Sequence, residues 1–274
     1  MNFQQKLDKA IKKNDSFLCI GLDSAREEIP RSDLDIRSDL VLSFNKEIID
    51  ATYDLVSCYK LNIAFYEAYG IEGLTSLKKT IEYLKNRYPE IPIILDAKRG
   101  DIGNTARFYA QAVFDYWDAD AVTLTIFTGK EGIEPFLKYQ DKFSFLYLRS
   151  SNKGAADFQD IDVGGLPFFQ AMAEKVSTWQ EENYGIIASA TFPRELAVLR
   201  QIFPGRIFLV PGIGAQEGAL GKTVEAGLNS EKSGLIIHSA RSIIYAGAGR
   251  DFAKKARIAA DKLKEEINEI RYAR

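Results

Sequence analysis

Eight short apolar runs recur along the chain, each ending near polar residues: FLCIGLD (17–23), LVSCYKLN (55–62), IPIILDAK (91–98), AVTLTIF (121–127), FSFLYLRS (143–150), YGIIASA (184–190), RIFLVPG (206–212) and GLIIHSA (234–240). Several are apolar at nearly every position rather than at every second one, the pattern of parallel strands covered on both faces. Between them, apolar residues return at intervals of three and four in RSDLVLSFNKEIIDATYD, EGLTSLKKTIEYLKNRY, ARFYAQAVFDYW and PFFQAMAEKVSTWQEE. These segments are read as amphipathic helices, and an Ala-, Lys- and Glu-rich stretch over 249–272 as a closing surface helix. Strands alternating with helices predict βαβ units and a parallel sheet. Eight such units in about 250 residues predict an α/β fold of the (β/α)8 TIM-barrel type, with a doubly wound sheet as the alternative. One domain is expected over residues 1–274, with a short N-terminal helix and a long irregular loop at about 151–165. A loop of that length in a compact domain serves as a lid or is disordered.

Composition narrows the function classes. With 36 basic and 38 acidic residues the formal charge is -2, which gives no electrostatic reason to expect nucleic acid or an acidic membrane surface as partner. The opening MNFQQKLDKAIKKNDS has no apolar signal core. No run reaches the roughly 18 apolar residues of a membrane span, so a cytoplasmic protein is expected. The two cysteines, Cys19 and Cys58, sit in strand-like runs and are expected as reduced, buried thiols without metal-ligand spacing. The single histidine, His238, removes His-pair metal motifs and argues against a Ser-His-Asp site. Carboxylates, lysines and backbone amides remain as the chemical groups.

In a barrel of this type the active site lies at the C-terminal ends of the strands. Those ends carry Asp23, Lys60 with Asn62, Asp96 with Lys98, Ser150 with Ser151 and Asn152, Pro211 with Gly212, and Ser239 with Arg241. The stretch ILDAKRGDIGNTA (93–105) is the densest of them. Asp96 and Lys98 are two apart on a strand and so share a side. With Lys60 and Asp101 they form a set of alternating sign, in which each charge has an opposite neighbour to offset its desolvation. Arg99 is expected to point away, outward or toward a subunit contact. The bland alternative is a salt-bridge network at the barrel rim.

VPGIGAQEGALG (210–221) is not a dinucleotide fingerprint, because Glu217 stands where the third glycine would be. It reads instead as a loop whose amides approach an anion. HSARSII places Arg241 and Ser242 at the start of a short helix, and barrels often bind phosphate after strands 7 and 8.

DAKRGDIGNT resembles the D-x-K-x-x-D-x-x-x-T signature of the orotidine 5′-phosphate decarboxylases. GLDS, YKLN, RSSN, VPGIGAQ and SARSI fall around it in the family's order, from residue 20 to 245. The length and the loop after strand 5 are similar to the longer branch of that family. The resemblance implies a homodimeric (β/α)8 barrel that converts orotidine 5′-monophosphate to uridine 5′-monophosphate and CO2 with no metal or organic cofactor. It implies that Lys98 protonates C6 of the pyrimidine, that Asp96 sits beside the departing carboxylate, and that Lys60 holds Asp96 and the ribose hydroxyls. Asp23 and Asn62 would lie on the ribose side. Asp101 and Thr105 would reach into the partner's site. Ser151 would bind the ring, supported by Asn152, although the adjacent Ser150 remains an alternative. Gln216 and Arg241 would hold the phosphate, with Pro211, Gly212 and Ala240 also against the substrate. Two rivals stand beside this reading. One is a phosphosugar enzyme such as a 3-hexulose-6-phosphate synthase, which shares D-x-K-x-x-D but uses Mg²⁺. The other is a nucleotide-binding barrel that has lost its activity.

Overall fold

In the computed structural model, which describes residues 1–30, 39–213 and 217–273, each of the eight apolar runs contains one barrel strand. They are β1 (Leu18–Gly21), β2 (Cys58–Asn62), β3 (Ile93–Arg99), β4 (Ala121–Thr125), β5 (Phe143–Tyr147), β6 (Tyr184–Ile187), β7 (Phe208–Pro211) and β8 (Leu235–Ser239). Neighbours in sequence pair in parallel, and β8 closes on β1 through Leu18–Ile237 and Cys19–His238. The doubly wound alternative is thereby excluded. Most strands are shorter than their runs, but the polar ends of β2, β3 and β8 stay in the ladder, where Asn62 pairs with Asp96 and Ile20 with Ser239.

Helices cover the outside, including the expected Leu40–Thr52, Gly70–Arg87, Gly103–Gln111, Phe168–Ser177 and Phe252–Tyr272. Gly103–Gln111 runs on into a π-helical turn, Ala112–Tyr116. Lys130–Leu137, Pro193–Ile202 and Glu217–Gly227 had no clear signal in the sequence. The first is only 8 residues long and contains Pro135. The stretch from 151 to 165 is not structureless. It holds a 3-10 turn (Lys153–Ala155), one helical turn (Ala156–Gln159) and a hairpin pairing Asp162–Val163 with Leu166–Pro167. Elements of two to four residues are too short to register as periodicity.

The barrel interior divides along its axis. Its lower part is a dry cluster of Cys19, Cys58, Ile94, Ala121, Phe143, Phe145, Ile187, Leu209 and Ile236. The helix Phe3–Asn14 closes that end. It starts in a capping box, in which Asn2 accepts from the Gln5 amide and the Gln5 side chain accepts from the Asn2 amide. Its Phe3 and Leu7 enter the cluster, with Phe3 stacked 4.9 Å from Phe143 and edge-on to Phe145 at 5.8 Å. Lys6 on the same helix binds Asp120 at 2.9 Å, and Asp120 also accepts from the Ile93 amide. The two cysteines face each other across β1 and β2, free and fully buried. Burial pushes the Cys19 thiol up, so it stays protonated and inert.

Phe3→Ala would remove an aromatic plug from a fully buried site. A loss of about 3 kcal/mol of stability is expected, read from urea unfolding monitored by circular dichroism.

Candidate active site

The upper part of the lumen is charged. Lys60 and Asp96 come from neighbouring strands and are both buried. Lys60 Nζ donates to Asp96 Oδ2 at 2.9 Å and lies 3.6 Å from Asp23 Oδ1. Lys98 Nζ donates to the other carboxylate oxygen, Asp96 Oδ1, at 2.7 Å. One carboxylate therefore bridges two ammonium groups. The lysines differ in exposure: the Lys60 side chain is 4% accessible and that of Lys98 42%. Lys98 reaches solvent at the barrel mouth, whereas Lys60 is walled in.

The meeting of Asp96 and Lys98 is not simple strand alternation. The β3–β4 register shifts between Leu95 and Arg99, and Lys98 takes a left-handed backbone conformation with φ of 45°. A bulge of this kind re-aims a side chain at a strand end. It is held by Thr123, whose hydroxyl accepts from the Lys98 amide at 3.0 Å and donates to Asp96 Oδ1 at 2.8 Å. Thr123 and Tyr147, whose ring centre lies 5.9 Å from Lys98 Nζ, were missed in the sequence. Both sit inside strands with apolar neighbours, and only their inward alternation could have marked them.

The electrostatics follow from this packing. Burial by itself would raise Asp96, but the Lys60 and Lys98 charges outweigh it and hold the carboxyl well below the usual carboxylate range. Burial would lower Lys60, but Asp96 and then Asp23 outweigh it and hold the ammonium above its usual range. Both groups are therefore charged throughout neutral pH. His238 behaves oppositely. Burial, then the nearby Lys60 charge, push it well down, so the imidazole is neutral. Its ring lies against Gly21, where an added Cβ would stand 2.5 Å from Nε2.

Of the other expected site residues, Asp101 departs clearly from the charged set. Asp101 pairs with neither lysine in this chain. It lies beyond the bulge, and its carboxylate accepts from the Ile102 amide at 2.7 Å. The second acid beside Lys60 is Asp23. Thr105 is exposed. Arg99 turns away from Lys98, as its place on the strand suggested, and pairs with Glu67 at 3.1 Å. Asn62 Oδ1 accepts from the Ala64 amide at 3.2 Å, starting a helical turn at the rim. Ser150 is engaged within its own loop, donating to Asn152 Oδ1 at 2.7 Å and accepting from Gln159 Nε2 at 3.2 Å. Ser151 instead lies beside Gly212, where an added Cβ would come within 3.8 Å of its own.

On the far side of the mouth, Pro211 ends β7 and Gly212 follows with φ of 107°, a conformation that favours glycine. Ala240 precedes the four-residue helix Arg241–Ile244, and Arg241 is exposed. Ser239 Oγ donates to the Ile213 carbonyl at 3.2 Å, which ties these two loops together. Gln216 lies outside the described residues. Among the described residues, no group of three or more His, Cys, Asp or Glu side chains is placed to hold a metal ion, and no helix is long and apolar enough to cross a membrane.

The family model for "Orotidine 5′-phosphate decarboxylase / HUMPS family" matches residues 16–256. The chain is 45% identical over 267 residues to the orotidine 5′-phosphate decarboxylase of Flavobacterium johnsoniae, covering 97% of each protein. It is 45% identical over 274 residues to the Cellvibrio japonicus protein of the same name, covering 99% of this chain and 100% of that one. Among solved structures, Leishmania donovani OMP decarboxylase matches with a TM-score of 0.85 and 36% identity over 100% of both chains. The UMP synthase of that organism matches with a TM-score of 0.86 and 37% identity, over 99% of this chain and 57% of the synthase.

Asp96→Asn would leave Lys60 buried with only Asp23 as counter-charge, and a loss of about 3 kcal/mol at neutral pH is expected. Because the folded carboxyl titrates below its unfolded value, its contribution is present above pH of about 4 and fades as pH falls below that. The stability gap between wild type and variant should therefore narrow in urea titrations run from about pH 5 down to about pH 2.5. A gap that stays constant over that window would contradict the assignment.

Proposed function

The chain belongs to the orotidine 5′-phosphate decarboxylase / HUMPS family, it decarboxylates orotidine 5′-monophosphate to uridine 5′-monophosphate and CO2, and we propose that Lys98 is the group that stabilises and protonates the C6 carbanion. One observation carries the proposal: the Asp96 carboxylate bridges Lys60 and Lys98 at the end of β3, and Lys98 alone of the two lysines opens to the mouth.

Loss of CO2 from C6 leaves an electron pair in the ring plane, where the pyrimidine delocalises it poorly. An ammonium already fixed at that position stabilises the developing charge without reorganisation. The same group then gives its proton to C6 as a general acid. Asp96 orients Lys98 on one side and fixes Lys60 on the other, while Thr123 pins the carboxylate and the Lys98 backbone together. In this reading Asp96 sits beside the departing carboxylate, and Lys60, Asp23 and Asn62 face the ribose. Asp23 Oδ1 faces Lys60 at 3.6 Å but accepts no hydrogen bond, which leaves it available to a ribose hydroxyl. Ser151 and Asn152 face the ring. Pro211, Gly212, Gln216, Ala240 and Arg241 take the phosphate end, where binding energy remote from C6 can position the ring.

The site is further read as shared between two copies. Asp101 and Thr105 turn away from the cluster of their own chain. The surface around them is apolar: Ile102 and Phe108 on the same segment are 60% and 56% exposed, and Phe127 just past β4 is 88% exposed. Exposed apolar residues of this size mark an interface, and a second copy would bring Asp101 and Thr105 to the neighbouring site. Cytoplasmic residence follows from the same reading, since nucleotide substrates are found there.

Turnover of orotidine 5′-monophosphate, followed by ultraviolet absorbance, should persist in excess EDTA. Activity that needs Mg²⁺ would support the phosphosugar rival, and tight binding without turnover the inactive-barrel rival. Lys98→Ala should lower kcat by about 10⁴-fold or more. Its half-exposed position implies less than about 1 kcal/mol of lost stability. An active Lys98→Ala protein would defeat the mechanism.

Mixing Lys98→Ala with Asp101→Ala tests the shared site. If copies exchange freely, half of the dimers are mixed and half of their sites intact, so recovery approaches about a quarter of wild-type activity. No recovery, with exchange demonstrated by differently tagged copies, would place Asp101 outside the partner's site.

A further inference from the structure

Arg149 is the largest fully buried side chain among the described residues, at 1% exposure, and the catalytic cluster does not use it. It immediately follows the Leu148 that leaves β5, and precedes the Ser150–Asn152 stretch. Its guanidinium lies between the rings of Phe169 and Phe192, 5.3 and 4.5 Å from their centres. Its donors divide between two places. Nε and Nη2 face the Glu195 carboxylate at 3.4 and 3.2 Å, on the helix that follows β6. Nη1 forms an ion pair with Asp160 Oδ1 at 2.8 Å and donates to Gln159 Oε1 at 3.3 Å. A buried cation thus ties the far end of the loop back to the strand from which it starts.

Gln159 passes that constraint on. Its Oε1 also accepts from the Ser150 amide at 3.0 Å, and its Nε2 donates to the Ser150 hydroxyl at 3.2 Å. That hydroxyl donates in turn to Asn152 Oδ1 at 2.7 Å. The residues on both sides of Ser151 are therefore held through one glutamine, and Ser151 is the member of the trio directed beside Gly212. Serine has a single rotor, so the place of its hydroxyl depends almost wholly on its backbone. A displacement of about 1 Å at such a group is enough to spoil an oriented contact.

We propose that Arg149 and Gln159 form a clamp that sets the backbone of Ser151 for recognition of the pyrimidine ring. The clamp is a positioning device that touches no substrate. It keeps the base of the 150–160 loop fixed while leaving the apolar side chains beyond it exposed, with Phe158 at 70%, Ile161 at 51% and Val163 at 47%. The proposal rests on the reading of Ser151 as the ring contact.

Removing Arg149 would empty a fully buried position and strip Glu195 and Asp160 of their shared counter-charge, which endangers the fold, so Gln159→Ala is the variant of choice. Affinity for uridine 5′-monophosphate and for ribose 5-phosphate, which lacks the ring, would be measured by calorimetry for wild type, Gln159→Ala and Ser151→Ala. Gln159→Ala should weaken the nucleotide about tenfold, the cost of one misplaced oriented hydrogen bond, and leave ribose 5-phosphate unchanged. In turnover, KM should rise by a similar factor, with a smaller change in kcat. Equal weakening of both ligands would mean general loosening of the barrel mouth and would overturn the proposal. Unchanged nucleotide binding by Gln159→Ala, with Ser151→Ala impaired, would overturn the clamp but leave the Ser151 reading standing. Unchanged nucleotide binding by Ser151→Ala would remove that reading and the clamp with it.

Discussion

The protein depends on one carboxylate held between two ammonium groups. Asp96 lies in a lumen that would otherwise neutralise it, and Lys60 lies deeper still. Each is ionised because the other is. Their mutual attraction, supplemented by Asp23 on one side and Thr123 on the other, offsets the cost of removing them from water. Lys98 completes the arrangement and is also the least buried of the three. A fixed cation is thereby presented at the mouth, oriented by a partner that is itself immobile.

The rest of the fold serves that placement by dividing the barrel into two ends. The lower end is apolar, plugged by Phe3 and Leu7 and packed with aromatic rings, and contributes stability. The upper end carries the polar tails of the same strands. The same alternation that sends Ile94 into the dry cluster sends Asp96 into the charged one, two residues further along β3. The bulge that follows then departs from alternation, swinging Lys98 onto Asp96 and carrying Asp101 out of the cluster.

Much of the site was legible in the sequence because its residues interrupt apolar strands. A charge at the end of a buried run is costly unless it is paired or used, so Asp23, Lys60, Asp96 and Lys98 stood out. Thr123 and Tyr147 did not, since a threonine or tyrosine inside a strand is ordinary sheet composition. Asp101 stood out for the same reason, but sign alternation along a segment does not show which charges meet, and within this chain Asp101 pairs with neither lysine and accepts from the Ile102 amide instead. Arg149 is the converse case. Its partners Asp160 and Glu195 come from the end of a short helical turn and from the helix after β6, and neither was visible as a partner in the sequence.

What the sequence determined by itself is the number and order of the strands, their burial on both faces, and the chemistry at their ends. These are properties of local apolar pattern, and they fix an alternating α/β chain whose polar residues gather at one rim. The tertiary structure decided which of those residues touch. The register shift at β3, the left-handed Lys98, the choice of Asp23 over Asp101 beside Lys60, and the clamp around Ser151 all arise from closing eight strands into one ring. Closure brings side chains from distant parts of the chain within hydrogen-bond distance, and a one-dimensional pattern of polarity carries no record of those distances.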